Sequence, residues 1–226
     1  MRMLKALIPF AVLIAAGCAA TKLSAAPTAT PAPTDLPAPI DSTAPIVPPT
    51  MTPSSAPQVV LILDDFEEDE TAWTVCVDPE CADSSAIDAA LSPDHATHGI
   101  RALQLNFEKN DKPKAVFYIG QPMDLSGGRT VQFDIYNPGT IDGVGFALTT
   151  GPDSVWHESD SVPVEKGKKV TLRFDLTAGD YKTAAINWEF RASIADLDNV
   201  VRLSIIIYPR EAGFAIIDYL CLADAA

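Results

Sequence analysis

Cationic side chains are scarce in this 226-residue chain: 16 Lys and Arg stand against 30 Asp and Glu, a formal net charge of −14. Such a surface repels phosphate backbones, and no basic patch interleaved with aromatics interrupts it. Nucleic acid is therefore excluded as a partner and polyanionic glycans are disfavoured. Long hydrophobic runs are missing as well. The apolar stretch from Ala6 to Ala16 falls short of the about 20 residues that a membrane-spanning helix needs. The nucleophile elbow GxSxG, the zinc-protease HExxH and the Gly-rich phosphate loop are absent, and no cysteine stands in a catalytic sequence context. Paired CxxC clusters are lacking too, and "HATH" (His95, His98) supplies only two ligands, so a zinc site is not indicated and these histidines read as incidental loop residues.

What is present begins with an address. "MRMLKALIPFAVLIAAGCAA" has a basic head (Arg2, Lys5), an apolar middle and small residues before Cys18, the layout of an export signal over residues 1–17. Its end, "IAAGC", resembles the lipobox of bacterial lipoproteins, with Ala15 where that motif usually has Leu. The resemblance implies cleavage before Cys18, lipidation of that cysteine and a domain held on the extracytoplasmic side of the bacterial membrane, with acyl chains supplying the membrane affinity. Residues 18–57 then read as a disordered tether. Ten prolines among Ala, Thr and Ser leave too few large apolar side chains to offset the entropy of ordering.

Residues 58–226 form the globular part, 169 residues, enough for one domain with a sizeable core. Three basic and two acidic residues precede Gln58, so the domain keeps 13 and 28, a net charge of −15. Its hydrophobic period is two. "VQFDIYN" sets Val131, Phe133 and Ile135 against Gln132, Asp134 and Tyr136, and "KVTLRFDL" sets Val170, Leu172 and Phe174 against Thr171, Arg173 and Asp175. Further strands are expected at "VVLIL", "RALQLNF", "KAVFYIG", "GVGFALT", "NWEFRA", "VRLSIIIY" and "FAIIDYLCL", separated by turns such as "LSGG", "NPGT" and "EKGK". Only "SSAIDAAL" suggests a short helix. With no recurring helix to carry parallel crossovers, the pattern predicts an all-β fold, an antiparallel β-sandwich of jelly-roll type.

The order of "LDDFE", "SPDHATHGIRALQLNF", "VQFDIYNP", "VWHESDSVPVEKGKKVTLRFDL" and "AIIDYLCL" resembles the jelly-roll accessory domains of secreted bacterial glycosidases, in the galactose-binding-like superfamily. That superfamily includes many carbohydrate-binding modules, along with spacers and assembly factors. The resemblance implies a structural calcium (Ca2+) between the first and last strands, held by Asp65, Glu67 and Asp218 with carbonyls from the loop Ser92 to Gly99. Calcium takes six to eight oxygen ligands, and gathering carboxylates around it would relieve the repulsion in "DDFEEDE". The alternative is a solvated acidic loop with Asp218 capping a strand edge.

Three cysteines remain after Cys18. "CVDPEC" closes a small loop around a Pro-containing turn, which favours a Cys76–Cys81 bridge and leaves Cys221 as a lone thiol, although pairing with Cys221 stays open. Sugar recognition needs aromatic faces and planar polar groups in a shallow site. Tyr136 and Asp134 on the polar face of their strand, Trp156, His157 and Glu158 in "SVWHES", and Arg173 opposite Leu172 and Phe174 are the candidates. Trp156 reads equally as core or as ligand platform. Trp188 shares a face with Ile186 and Phe190 and reads as core; Trp73 is expected beside the first strand. Three functions follow in order of support: a lipid-tethered, non-catalytic module for a neutral glycan or glycoconjugate; an envelope structural or protein-interaction sandwich; and a carbohydrate-active enzyme of unrecognised type, for which two opposed carboxylates in a cleft would be needed.

Overall fold

The computed structural model describes residues 58–77 and 81–224; the residues read above as an export signal and a tether, with Cys18, lie outside the described residues. Twelve strands fill them: β1 (Val59–Asp64), β2 (Thr74–Val75), β3 (Ala86–Ser92), β4 (Ala102–Phe107), β5 (Ala115–Ile119), β6 (Thr130–Tyr136), β7 (Ile141–Thr150), β8 (Val155–Glu158), β9 (Val162–Pro163), β10 (Lys169–Asp175), β11 (Val200–Pro209) and β12 (Gly213–Ala223). They form two six-stranded sheets, paired antiparallel throughout. One runs β10-β6-β12-β4-β3 with β1 on β12, and the other β2-β5-β11-β7-β8 with β9 on β7.

Alternation explains the layers. Val131, Phe133 and Ile135 of β6 and Leu172 and Phe174 of β10 point inward and meet Phe117, Phe146, Leu148, Ile205 and Ile207 of the second sheet in one core. Phe174 stacks on Phe133 and Phe146 at 5.8 and 5.2 Å between ring centres, which ties the sheets together face to face. β7 and β11 are buried on both faces. A smaller apolar cluster, Cys76, Cys81, Val116, Ala147 and Ile206, covers the outside of the second sheet, with Trp156, Tyr118 and Tyr208 packed on it. Cys76 and Cys81 are bridged, and Cys221 is a buried free thiol contacted by Gln132. Burial pushes the Cys221 thiol's pKa up.

Two sequence expectations fail locally. "SSAIDAAL" is not helical: Ala86 to Ser92 pair with β4 in the register Ala90 to Gln104 and Leu91 to Leu103. Tertiary pairing overrides the helix propensity of a short alanine-rich segment. "NWEFRA" is not a strand. A single 3-10 turn, Ala184–Ile186, ends on Asn187 and Trp188 in the left-handed region (φ 56° and 61°), and this throws Trp188 and Phe190 out of the core, 52% and 44% exposed. Trp73 does pack beside the first strand, donating its indole N–H to Asp64 Oδ2 at 2.9 Å.

Candidate functional site

The acid-rich turn after β1 meets the 97–101 segment. β12 bulges between Asp218 and Cys221, with Tyr219 at φ 49°, at the point where its pairing passes from β4 to β1. The buried Asp218 carboxylate accepts from Thr97 N (2.5 Å), Thr97 Oγ1 (2.9 Å) and His98 N (2.8 Å) through Oδ2, and from Tyr219 N through Oδ1. Glu67 Oε1 accepts from Ile100 N and Arg101 N, both at 2.9 Å. Asp65 accepts only from Glu67 N, at 3.3 Å. Thus the sequence signal for Asp218 and Glu67 leads to one place, but the loop turns N–H donors toward them where a calcium would need oxygen. The carbonyls of His95 and Ala96 accept from Lys169 Nζ. Among the described residues no group of three or more His, Cys, Asp or Glu side chains is placed to hold a metal ion. The residues as placed therefore do not fit a calcium cage.

The six side chains expected to bind ligand do not share a surface. Asp134, Tyr136 and Arg173 lie on the outside of the first sheet, where Thr171 Oγ1 donates to Asp134 (2.5 Å), Arg173 Nε donates to Gln132 (3.2 Å) and His95 stacks on Tyr136 (3.6 Å). Trp156, His157 and Glu158 follow the two-residue period of β8. His157, opposite Leu148, is buried, and neither ring nitrogen has a hydrogen-bond partner. Burial lowers its pKa, against the opposing pull of Asp196. Trp156, opposite Thr149, and Glu158, opposite Ala147, face outward from the second sheet.

There they border a cleft of about 770 Å3. Its floor is Val116, Thr149, Trp156 and Glu158. One rim is Cys81 to Asp83 beside the disulfide, and the other is the turn carrying Lys182, Ala184, Ala185 and Trp188. Backbone bonds in both directions between Glu158 and Lys182 fix that turn to β8. Glu158 is the hub of the floor. Its Oε1 meets Lys182 Nζ at 2.8 Å and Tyr208 OH at 3.3 Å; its Oε2 meets Lys114 Nζ at 3.3 Å and Trp156 Nε1 at 3.1 Å. Burial pushes the Glu158 carboxyl up, but these donors, Lys182 foremost, outweigh it and hold the pKa below the usual carboxylate value. Thr149 Oγ1, on the same floor, is buried with no hydrogen-bond partner.

Sequence reading found Trp156 and Glu158 but missed Trp188, Lys114, Lys182 and Thr149. Alternation with Ile186 and Phe190 made Trp188 look like core. The signal against that reading was Asn187, a residue type that tolerates the left-handed conformation ending the turn. The two lysines carry no sequence mark at all.

A family model described as mannanase, galactose-binding domain-like matches residues 64–187. No curated protein matches the chain. Among solved structures, the chain is similar to a family 11 carbohydrate-binding module from Clostridium thermocellum in complex with a β-1,3-1,4-mixed-linked tetrasaccharide (TM-score 0.55, 14% identity, 76% of this chain and 98% of that one). It is also similar to the family 11 module of the cellulosomal cellulase Lic26A-Cel5E of the same organism (0.54, 12%, 76% and 96%). An exo-β-agarase matches over 73% of this chain and 25% of its own (0.54, 15%). At such identities the likeness is one of fold.

Proposed function

The chain belongs to the galactose-binding-like domain family of mannanases, and from that premise we propose that it is a non-catalytic module that binds a neutral glycan or glycoconjugate in the second-sheet cleft. The observation that carries the reading is the cleft's make-up: a half-buried Trp156 on the floor, a half-exposed Trp188 on the rim, and lysine donors whose charges are matched by Glu158 and Asp83. Indole faces suit the apolar side of a pyranose, and the donors suit its hydroxyls. The family 11 module with its bound tetrasaccharide makes sugar binding a consistent use of this fold.

Catalysis is disfavoured by the chemistry of the floor. A glycosidase acid must keep its proton near neutrality and face a second carboxylate across the sugar. Glu158 is pushed the other way, with both oxygens engaged by lysines. The export signal and "IAAGC" favour a lipid on Cys18 and a domain displayed outside the membrane. A second reading, docking to an envelope protein, draws on β1: Val60, Leu61 and Ile62 are 45%, 47% and 46% exposed in succession.

A glycan array probed with the full chain separates the two. Binding to neutral oligosaccharides, lost in Trp156→Ala, supports the module. Silence across the neutral glycans moves the assignment to the protein-docking sandwich.

A further inference from the structure

Glu158 has no exposed surface to offer a ligand, being 1% exposed, yet four donors from four different segments converge on it. Lys114 precedes β5, Trp156 shares β8, Tyr208 ends β11, and Lys182 opens the rim turn. The carboxylate fixes the Trp156 ring by its only N–H, since an indole has one donor and that donor is spent. It also sets the charge of the cleft. Lys114 and Lys182 both line the cavity, and their two positive charges are matched by Glu158 beneath them and by Asp83, 3.7 Å from Lys114 on the rim. Lys182 Nζ further sits 5.1 Å from the Phe190 ring centre, which holds the ammonium over the rim turn.

We propose that Glu158 is the specificity-determining residue of the cleft: by completing, with Asp83, the neutralisation of the lysine pair and by orienting Trp156, it makes the site accept uncharged sugar chains and refuse uronate-bearing ones. This rests on the cleft being the glycan site. The physical reason is that two lysines left unmatched would form a ready counter-charge for a sugar carboxylate, because ammonium groups at a partly enclosed surface attract an anion much more strongly than they would in bulk water. With both carboxylates in place, a uronate entering the cleft meets a lining of zero net charge on a domain of net charge −15, and the N–H donors left on the lysines do not offset its large loss of hydration. A neutral hydroxyl loses far less, and the lysines' unspent N–H donors are enough to satisfy it. Glu158 acts through Lys114, Lys182 and Trp156, so it is a positioning residue, and its signature is a change of selectivity.

A charge series in the full chain tests this by titration with two probes of equal length, a neutral hexose oligosaccharide and an oligouronide. Glu158→Gln keeps the side chain's size and raises the floor by one charge. The ratio of uronide to neutral affinity is expected to rise on the order of tenfold and to fall again with added salt. Lys182→Met removes one positive charge at a partly exposed position, 22% accessible, and is expected to lower uronide affinity below the wild-type value. An unchanged ratio in either variant that folds, with neutral binding intact in the wild type, overturns the assignment. A wild-type chain that binds neither probe overturns the glycan reading itself and is told apart by that.

Discussion

Replacing Trp188 by alanine separates the cleft from every other surface of the molecule. The residue sits on the rim turn, 52% exposed, and the backbone at that position is left-handed whichever side chain it carries, so alanine inherits the same strain. Its indole, of up to about 250 Å2, leaves about 130 Å2 open to solvent; a sugar stacked on one face covers about half of that, worth ~1.6 kcal/mol at 25 cal/mol per Å2, or roughly a tenfold loss of affinity. Stability should scarcely move, because a surface substitution stays within about 0.5 kcal/mol, under ~2 °C for a domain of this size. The measurement is a calorimetric titration with whichever neutral oligosaccharide the array returns, alongside thermal melts of both proteins. Tyr136→Ala is the matched control, since Tyr136 lies on the opposite sheet against His95. Intact binding in Trp188→Ala together with a loss in Tyr136→Ala would refute the placement of the site.

Other parts of the fold make separate predictions. His157→Leu should raise the melting temperature by about 2–12 °C, because a buried unpaired polar group costs about 1–3 kcal/mol and the leucine removes it. The gain should widen in acid. Burial holds the folded imidazole below its ordinary value of 6.5, so the unfolded chain protonates first; the wild type keeps this stability above that value and loses it as pH falls toward the folded one. Melts at pH 7 and pH 5 check the sign, and an equal gain at both would count against it. Gly99→Ala should destabilise by about 1–2 kcal/mol, since φ is +67° and the new Cβ would push the Glu67 carboxylate off the N–H groups of Ile100 and Arg101. In the same melts an excess of chelator should leave the wild type unchanged while Asp218→Asn lowers its midpoint; a chelator-sensitive wild type would restore the calcium that the resemblance implies.

Period-two alternation located most strands because each has one face in a shared core: Val131, Phe133 and Ile135 could be placed from spacing alone. The same rule failed at residues 186–190, where alternation arises in a turn, and at Ala86 to Ser92, where an edge strand borrows its conformation from β4. Asp218 was legible as an anomaly, a charge within an apolar strand, but the sequence could not say whether metal or backbone N–H groups answer it. For the cleft, Trp156, His157 and Glu158 were read together as ligand candidates, and the pairing of β8 with β7 is what sets His157 apart as a buried residue. Which sheet they belong to, and that Lys114 from a site 44 residues away meets Glu158, depends on long-range pairing that no local pattern records.

The most direct measurement of the central claim uses the three indole N–H resonances in a nitrogen-labelled sample titrated with the bound oligosaccharide. Those of Trp156 and Trp188 should shift with the ligand while Trp73, buried and bonded to Asp64 beside β1, stays put. Saturable binding that leaves the Trp156 and Trp188 signals unmoved would contradict a glycan seated on the second sheet.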